Sequence, residues 1–208
     1  MVPKLETKAI ERDYAAAKEA YAAYGVDTDL ALERLGRVQL SLHCWQGDDV
    51  GGFENPGGEL TGGIQATGNY PGKARTPDEL RADLKKAYGL IPGKHRLSIH
   101  AFYVDYPEPV ERDALEPKHF QRWMDWSVRE GIALDFNGTF FSHPKAADGY
   151  TLSHPDPGIR RFWVDHAAAC RRVAAAMGRA QGSPCVNNLW IPDGEKDLPA
   201  DRWAPRQR

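Results

Sequence analysis

The sequence has few cysteines, no long apolar run, no phosphate-binding glycine loop and no excess of either charge, and each scarcity removes a class of protein. Only Cys44, Cys170 and Cys185 occur in 208 residues. An odd number at these spacings suits neither a zinc site nor a disulfide framework, so buried free thiols in a reducing compartment are expected. No stretch approaches the ~18 to 20 apolar residues of a membrane-spanning helix. The amino-terminal MVPKLETKAIERDYAAAKEAYAAYG is charged and Ala-rich, without the apolar centre of a signal peptide, which predicts a cytoplasmic protein. The chain has 27 Lys and Arg against 29 Asp and Glu, for a formal net charge of -2. The two signs are interspersed, so neither nucleic acid nor a membrane surface is an expected partner, and a small molecule is.

What the sequence does have is a long connection between a short apolar run and an amphipathic helix. From Leu42 to Arg75 it reads LHCWQGDDVGGFENPGGELTGGIQATGNYPGKAR, with glycines at 47, 51, 52, 57, 58, 62 and 63. A connection this long is usually functional. Trp45, Val50, Phe53, Leu60, Ile64 and Tyr70 give it apolar side chains of its own to pack, which a flexible linker lacks. Trp45 and Phe53 are candidate wall or lid residues; a moving lid and a rigid cap over the fold are equally compatible with the glycines.

Around this loop the periodicities alternate. Lys4 to Tyr24 reads as a helix stopped by Gly25, and DLALERLG as a short helix capped by Asp27 or Thr28. Neither carries a chemical signature, and both are expected on the outside of the fold. Arg37 to Trp45 is the first strand candidate. Thr76-Pro-Asp-Glu then opens a helix with Leu80, Leu84 and Ala87 on one face. Arg96 to Asp105 is the second strand, and Glu116 to Glu130 a helix burying Phe120, Trp123, Met124 and Ser127, ended by Gly131. The third strand is IALDFNGTFF. A helix from about Gly158 to Arg179 and a fourth strand, Ser183 to Pro192, complete the series.

These are four repeats of strand, loop and helix, read as one domain over 1–208, with 1–36 a helical extension and 37–208 four β/α units. The strands read as continuous apolar runs, the pattern of a parallel sheet covered by helices on both faces. Right-handed crossovers leave a doubly wound open sheet or a (β/α)8 TIM barrel. No dinucleotide or P-loop glycine pattern follows the first strand, which favours the barrel. A barrel needs eight strands and about 250 residues. The chain is therefore expected to hold about half of one, with open sheet edges and an apolar interior facing water.

Barrel sites are built at the carboxyl ends of strands. That rule selects His43, Trp45, Asp48 and Asp49, then His100, Phe102, Tyr103 and Asp105, then Asp135, Asn137 and Phe140, and finally Asn187, Asn188, Trp190 and Asp193. His43, His100, Asp135 and the Asn pair could converge on a metal, or each could be a hydrogen-bonded structural residue. His143 and His154, each in a Ser-His-Pro sequence, read as turn residues, and Lys73 and Arg75 as loop anchors.

The segments HCWQGDDVGGFE and LTGGIQATGNYPGKAR resemble the first long loop of bacterial L-rhamnose isomerases, and the resemblance runs from about Tyr21 to the last residue. It implies a xylose-isomerase-like (β/α)8 barrel, of which this chain matches the N-terminal half. It also implies aldose-ketose isomerisation with manganese or a similar divalent ion, a homotetramer, and metal-binding residues on strands beyond Arg208. No metal ligand and no catalytic residue is therefore assigned here, and the isolated chain is expected to be inactive. By resemblance His100 hydrogen-bonds the sugar hydroxyls and Trp190 packs on one sugar face. Val50, Leu60 and Phe102 match the apolar cluster around the C6 methyl of rhamnose, although Phe102 replaces the aliphatic residue associated with that position in enterobacterial enzymes. The competing expectation is a non-catalytic sugar-binding or assembly half-barrel completed by a second polypeptide.

Overall fold

The computed structural model describes residues 6–44, 51–54 and 73–194. The chain falls into two compact units, Met1–Leu40 and Ser41–Arg208. In the first, α1 (Thr7–Ala22) and α2 (Thr28–Leu35) bury no side chain. Asp27 caps α2, accepting from the Leu30 N–H at 3.0 Å. Tyr14 donates to Asp29 at 2.7 Å, and Lys18 pairs with the same carboxylate.

The second unit is an α/β layer structure. Strands β1 (Leu40–His43), β2 (His95–His100), β3 (Ala133–Asn137) and β4 (Asn187–Asn188) form one sheet in sequence order. β2 pairs in parallel with β3, setting Ser98 against Asp135 and His100 against Asn137, and β3 pairs in parallel with β4. The crossovers carry α3 (Pro77–Tyr88), α4 (Gln121–Glu130) and α5 (Pro157–Gln181).

The helix boundaries follow local chemistry. The Thr76 hydroxyl accepts from the Glu79 N–H at 3.2 Å, while the Glu79 carboxylate takes the Arg75 N–H at 2.8 Å and its guanidinium at 2.7 Å, so Arg75 anchors the end of the long loop. Gly131 and Gly182 close α4 and α5 in the left-handed conformation, at φ +69° and +64°. α4 starts five residues later than the pattern suggests. A 3-10 turn at Pro117–Phe120 precedes it, with the His119 ring accepting the Glu116 N–H at 2.9 Å.

Two expectations need correction. The strands are shorter than the apolar runs, and they are not uniformly apolar. Leu97, Ile99, Leu134 and Phe136 belong to the hydrophobic core with Leu80, Trp123, Val173 and Met177 of the helices. The alternate positions, Ser41, Arg96, Ser98, His100, Asp135 and Asn137, form a polar opposite face, because successive residues of a strand project to opposite sides. Four of these, Ser98, His100, Asp135 and Asn137, are buried. The apolar interior read from sequence is thus a polar surface joined by hydrogen bonds. Asp135 is its centre, accepting from Ser41 at 2.7 Å, Arg96 at 2.8 and 2.9 Å and the Val186 N–H at 2.9 Å, so one carboxylate ties residues of all four strand regions together.

None of the three cysteines is in a disulfide: Cys44 and Cys170 are buried and Cys185 half-buried. No helix among the described residues is long and apolar enough to cross a membrane.

Candidate functional site

The carboxyl end of the sheet is shaped by where β2 and β3 stop. After His100 the chain turns at once: the Tyr103 N–H donates to the His100 carbonyl at 3.0 Å, and the Ala101 N–H to the Asn137 carbonyl at 2.8 Å. Phe102, Tyr103 and Asp105 therefore lie on the loop beyond β2 instead of within it. β3 ends at Asn137, and beyond Gly138 two non-glycine residues lie in the left-handed region, Thr139 at φ +54° and Ser142 at φ +52°. The Asn137 side chain accepts the Thr139 N–H at 2.9 Å and stabilises that turn.

This geometry draws rings together. Phe141 lies 6.2 Å from His100, 5.8 Å from Phe102 and 5.6 Å from Trp190, ring centre to ring centre. Phe102 stands edge-on to Tyr103 at 5.0 Å, and Phe53 edge-on to the same Tyr103 at 5.3 Å. The Phe53 N–H donates to the Phe102 carbonyl at 2.9 Å, docking part of the long loop on the site. Gly52 makes that approach possible: at φ +64°, an added Cβ would sit 2.6 Å from the Phe102 ring.

Of the seven residues singled out from sequence, His100, Phe102, Phe53 and Trp190 fall in this one cluster. Trp45, Val50 and Leu60 lie outside the described residues. Phe141 was missed in favour of its neighbour Phe140, which points into a separate core with Phe162 and Trp163. Adjacent aromatics on a kinked loop cannot be sorted by period two, so no sequence signal separates them.

His100 is buried with its Nδ1 3.2 Å from the Thr139 hydroxyl, which also accepts the Ala101 N–H at 3.1 Å. Burial, reinforced by His43 and by the Arg112 cation, pushes its pKa down to about 3, so the ring is neutral at physiological pH. His43 lies 6.0 Å from it and is also lowered by burial, against the opposing pull of Asp135.

Several polar residues at strand ends are engaged elsewhere. Burial alone would raise the Asp135 carboxyl, but bonds from Arg96, Val186 and Ser41 hold it below the usual carboxylate range. Asp105 pairs with Arg81 and with Arg122 at 3.1 Å. Asp193 accepts from the Thr151 N–H and the Ser153 N–H, both at 2.9 Å. His143 and His154 share one device: each ring nitrogen accepts the backbone N–H two residues on, at 3.1 and 2.9 Å, as the turn reading expects.

These engagements bear on the metal question. The Asp135 carboxylate is held by Arg96, and no group of three or more His, Cys, Asp or Glu suited to a metal ion occurs among the described residues. The described residues at this end of the sheet do not form a divalent-ion site. A concavity of about 560 Å³ lies elsewhere, between the end of α5 and the start of β4 and lined by Gly178, Gly182 and Cys185, at the opposite end of the sheet. Burial pushes the Cys185 thiol up to about 12, which leaves it protonated and unreactive.

A neutral buried histidine beside tilted and edge-on aromatic rings lies at the carboxyl ends of the parallel strands of an α/β protein, the place where such folds build their sites. A family model for L-rhamnose isomerase matches residues 8–208, and the chain belongs to that family of aldose-ketose isomerases. L-rhamnose isomerase of Rhodopirellula baltica is 58% identical over 199 residues, covering 96% of this chain and 47% of the relative. That of Pectobacterium carotovorum is 58% identical over the same span, and that of Shigella flexneri 57% over 202 residues, or 97% of this chain and 48% of the relative. The chain spans about half the length of the curated relatives it matches.

Proposed function

We propose that these 208 residues supply the N-terminal half of an L-rhamnose isomerase barrel and, within it, the wall that holds the sugar. The observation that carries the reading is the convergence of His100, Phe102 and Trp190 on Phe141 at the carboxyl ends of the strands. Support for a barrel over a doubly wound sheet comes from the strand order β1-β2-β3-β4, which has no reversal point. The edge beyond β4 exposes Val186 and Leu189, where a fifth strand of the same domain would pack.

In this reading the Thr139 hydroxyl is assigned as donor to His100 Nδ1 while its oxygen accepts the Ala101 N–H. The imidazole proton then sits on Nε2 and serves as a donor to a sugar hydroxyl. Trp190 covers one sugar face. Phe102, with Val50 and Leu60 by the family resemblance, receives the C6 methyl, whose burial contributes ~0.8 kcal/mol or more, and Trp45 and Phe53 are wall or lid residues. A divalent ion, manganese or a similar one by the family resemblance, would supply Lewis-acid polarisation of the sugar oxygens in the complete enzyme. Its ligands are assigned to segments beyond Arg208. A cytoplasmic homotetramer is the assembly the family resemblance supports.

The test compares the 208-residue chain with a full-length enzyme carrying it, assayed on L-rhamnose with manganese. Activity confined to the full-length enzyme, with KM raised about tenfold or more by His100→Asn, is expected. Turnover by the 208-residue chain alone would refute the proposal.

A further inference from the structure

Arg112 has no place in any sequence pattern, yet it organises the loop after β3. It lies at 1% exposure in a 3-10 turn, Arg112–Ala114, ahead of α4. Nη1 donates to the carbonyls of Thr139 at 2.6 Å and Phe141 at 2.7 Å, and Nη2 to that of Ser142 at 2.9 Å. Nε and Nη2 donate to the Glu54 carboxylate at 3.0 and 2.7 Å. The guanidinium carbon also stands 5.6 Å from the centre of the Phe102 ring. His166 holds the residue from behind, its Nδ1 2.8 Å from the Arg112 carbonyl.

The loop needs such a clamp. Thr139 and Ser142 both carry positive φ, a conformation that residues with a Cβ keep only under constraint. Their carbonyls turn inward, away from any strand partner, and one planar fork of five donors satisfies them together.

We infer that Arg112 is a positioning residue for the sugar wall, completed by Glu54, which neutralises the buried cation from the long loop. The inference rests on the reading of this cluster as a sugar site. Two paths lead from the guanidinium to the wall. Through Thr139 it sets the hydroxyl beside His100 Nδ1, and through Phe141 it sets the ring that touches His100, Phe102 and Trp190. Lysine keeps the charge but offers donors from a single point, so it cannot span three carbonyls and a carboxylate.

The test uses the full-length enzyme with Arg112→Lys and Glu54→Gln variants, by steady-state kinetics on L-rhamnose and by amide hydrogen exchange without sugar. Activity of the parent on L-rhamnose, measured first, tests the functional reading alone. For R112K, KM rises about tenfold or more while kcat stays within about threefold, and exchange quickens at residues 138–142 without a global increase. E54Q gives the same pattern at smaller size. Unchanged KM in both variants, or unchanged exchange at 138–142, overturns the assignment. If R112K does not fold, E54Q, which keeps every carbonyl bond of Arg112, decides by the same two readouts. If the parent is inactive on L-rhamnose, the exchange arm still decides whether Arg112 holds the loop.

Discussion

Arg96 and Asp135 form a two-pronged ion pair across adjacent strands, Nη2 to Oδ1 at 2.8 Å and Nε to Oδ2 at 2.9 Å, with both side chains about nine-tenths buried. The pair sits on the polar face of the sheet, in the place a metal ligand would be sought from sequence.

Its first consequence is a separation of structural from metal-binding roles. Asp135→Asn keeps the shape but removes the charge that Arg96 faces. Breaking a buried pair of this kind costs about 3 kcal/mol. In the full-length enzyme, thermal or chemical denaturation should show that loss while bound manganese per subunit stays unchanged. A stoichiometric loss of manganese in a folded D135N protein would make Asp135 a ligand.

Acid should destabilise the fold through its neutral histidines. Burial lowers His100 to about 3 and His143 to about 4, with the Arg112 cation adding to both shifts. In the unfolded chain each titrates near ~6.5. The folded values lie below the unfolded one, so the unfolded state binds protons first as pH falls. The contribution is fully present above about pH 6.5 and is lost between there and about 4 for His143, and about 3 for His100. Melting of the full-length enzyme across that range should show the decline. His143→Asn keeps an acceptor for the Lys145 N–H and should flatten part of the curve; an unchanged slope would contradict the His143 contribution.

Gly52 is where the long loop meets the wall, and alanine there is expected to act locally. Its Cβ would stand 2.6 Å from the Phe102 ring and 2.9 Å from the Phe102 carbonyl at a positive φ. The backbone alone costs ~1 to 2 kcal/mol. Gly52→Ala should raise KM for L-rhamnose in the full-length enzyme and quicken exchange at 51–54. Wild-type values for both would show that the docked segment does not shape the site.

In the proposed sugar wall, Phe102 sets the size of the apolar part. Replacing it by Ile opens space where a C6 hydroxyl could fit. Hydrophobic pockets reject an added hydroxyl by only ~100-fold. Phe102→Ile should therefore lower the ratio of kcat/KM values between L-rhamnose and its 6-hydroxy counterpart by about threefold to tenfold. A ratio that rises would place the methyl elsewhere.

Much of the architecture is legible in the residues because its signals are local. The Thr76 hydroxyl with Glu79, the Asp27 cap and the glycines after α4 and α5 act within a few residues, and each marks an observed boundary. The polarity of the strands was legible too, in L-S-L-H and A-L-D-F-N. Each polar position there alternates with an apolar neighbour that dominates the run.

What the sequence by itself determined is the order of elements, the capped and glycine-closed helix ends and the family. The long connection, the order of the four strands and the candidates His100, Phe102 and Trp190 follow from local pattern and resemblance. What only the tertiary structure decided is which partner each polar group takes. Asp135 belongs to Arg96, Phe141 rather than Phe140 reaches the wall, and Arg112 reaches across 27 to 30 residues of chain to the carbonyls beyond β3. Such choices depend on where a turn with positive φ sends a carbonyl or a ring, and that direction is set by packing between segments distant in sequence.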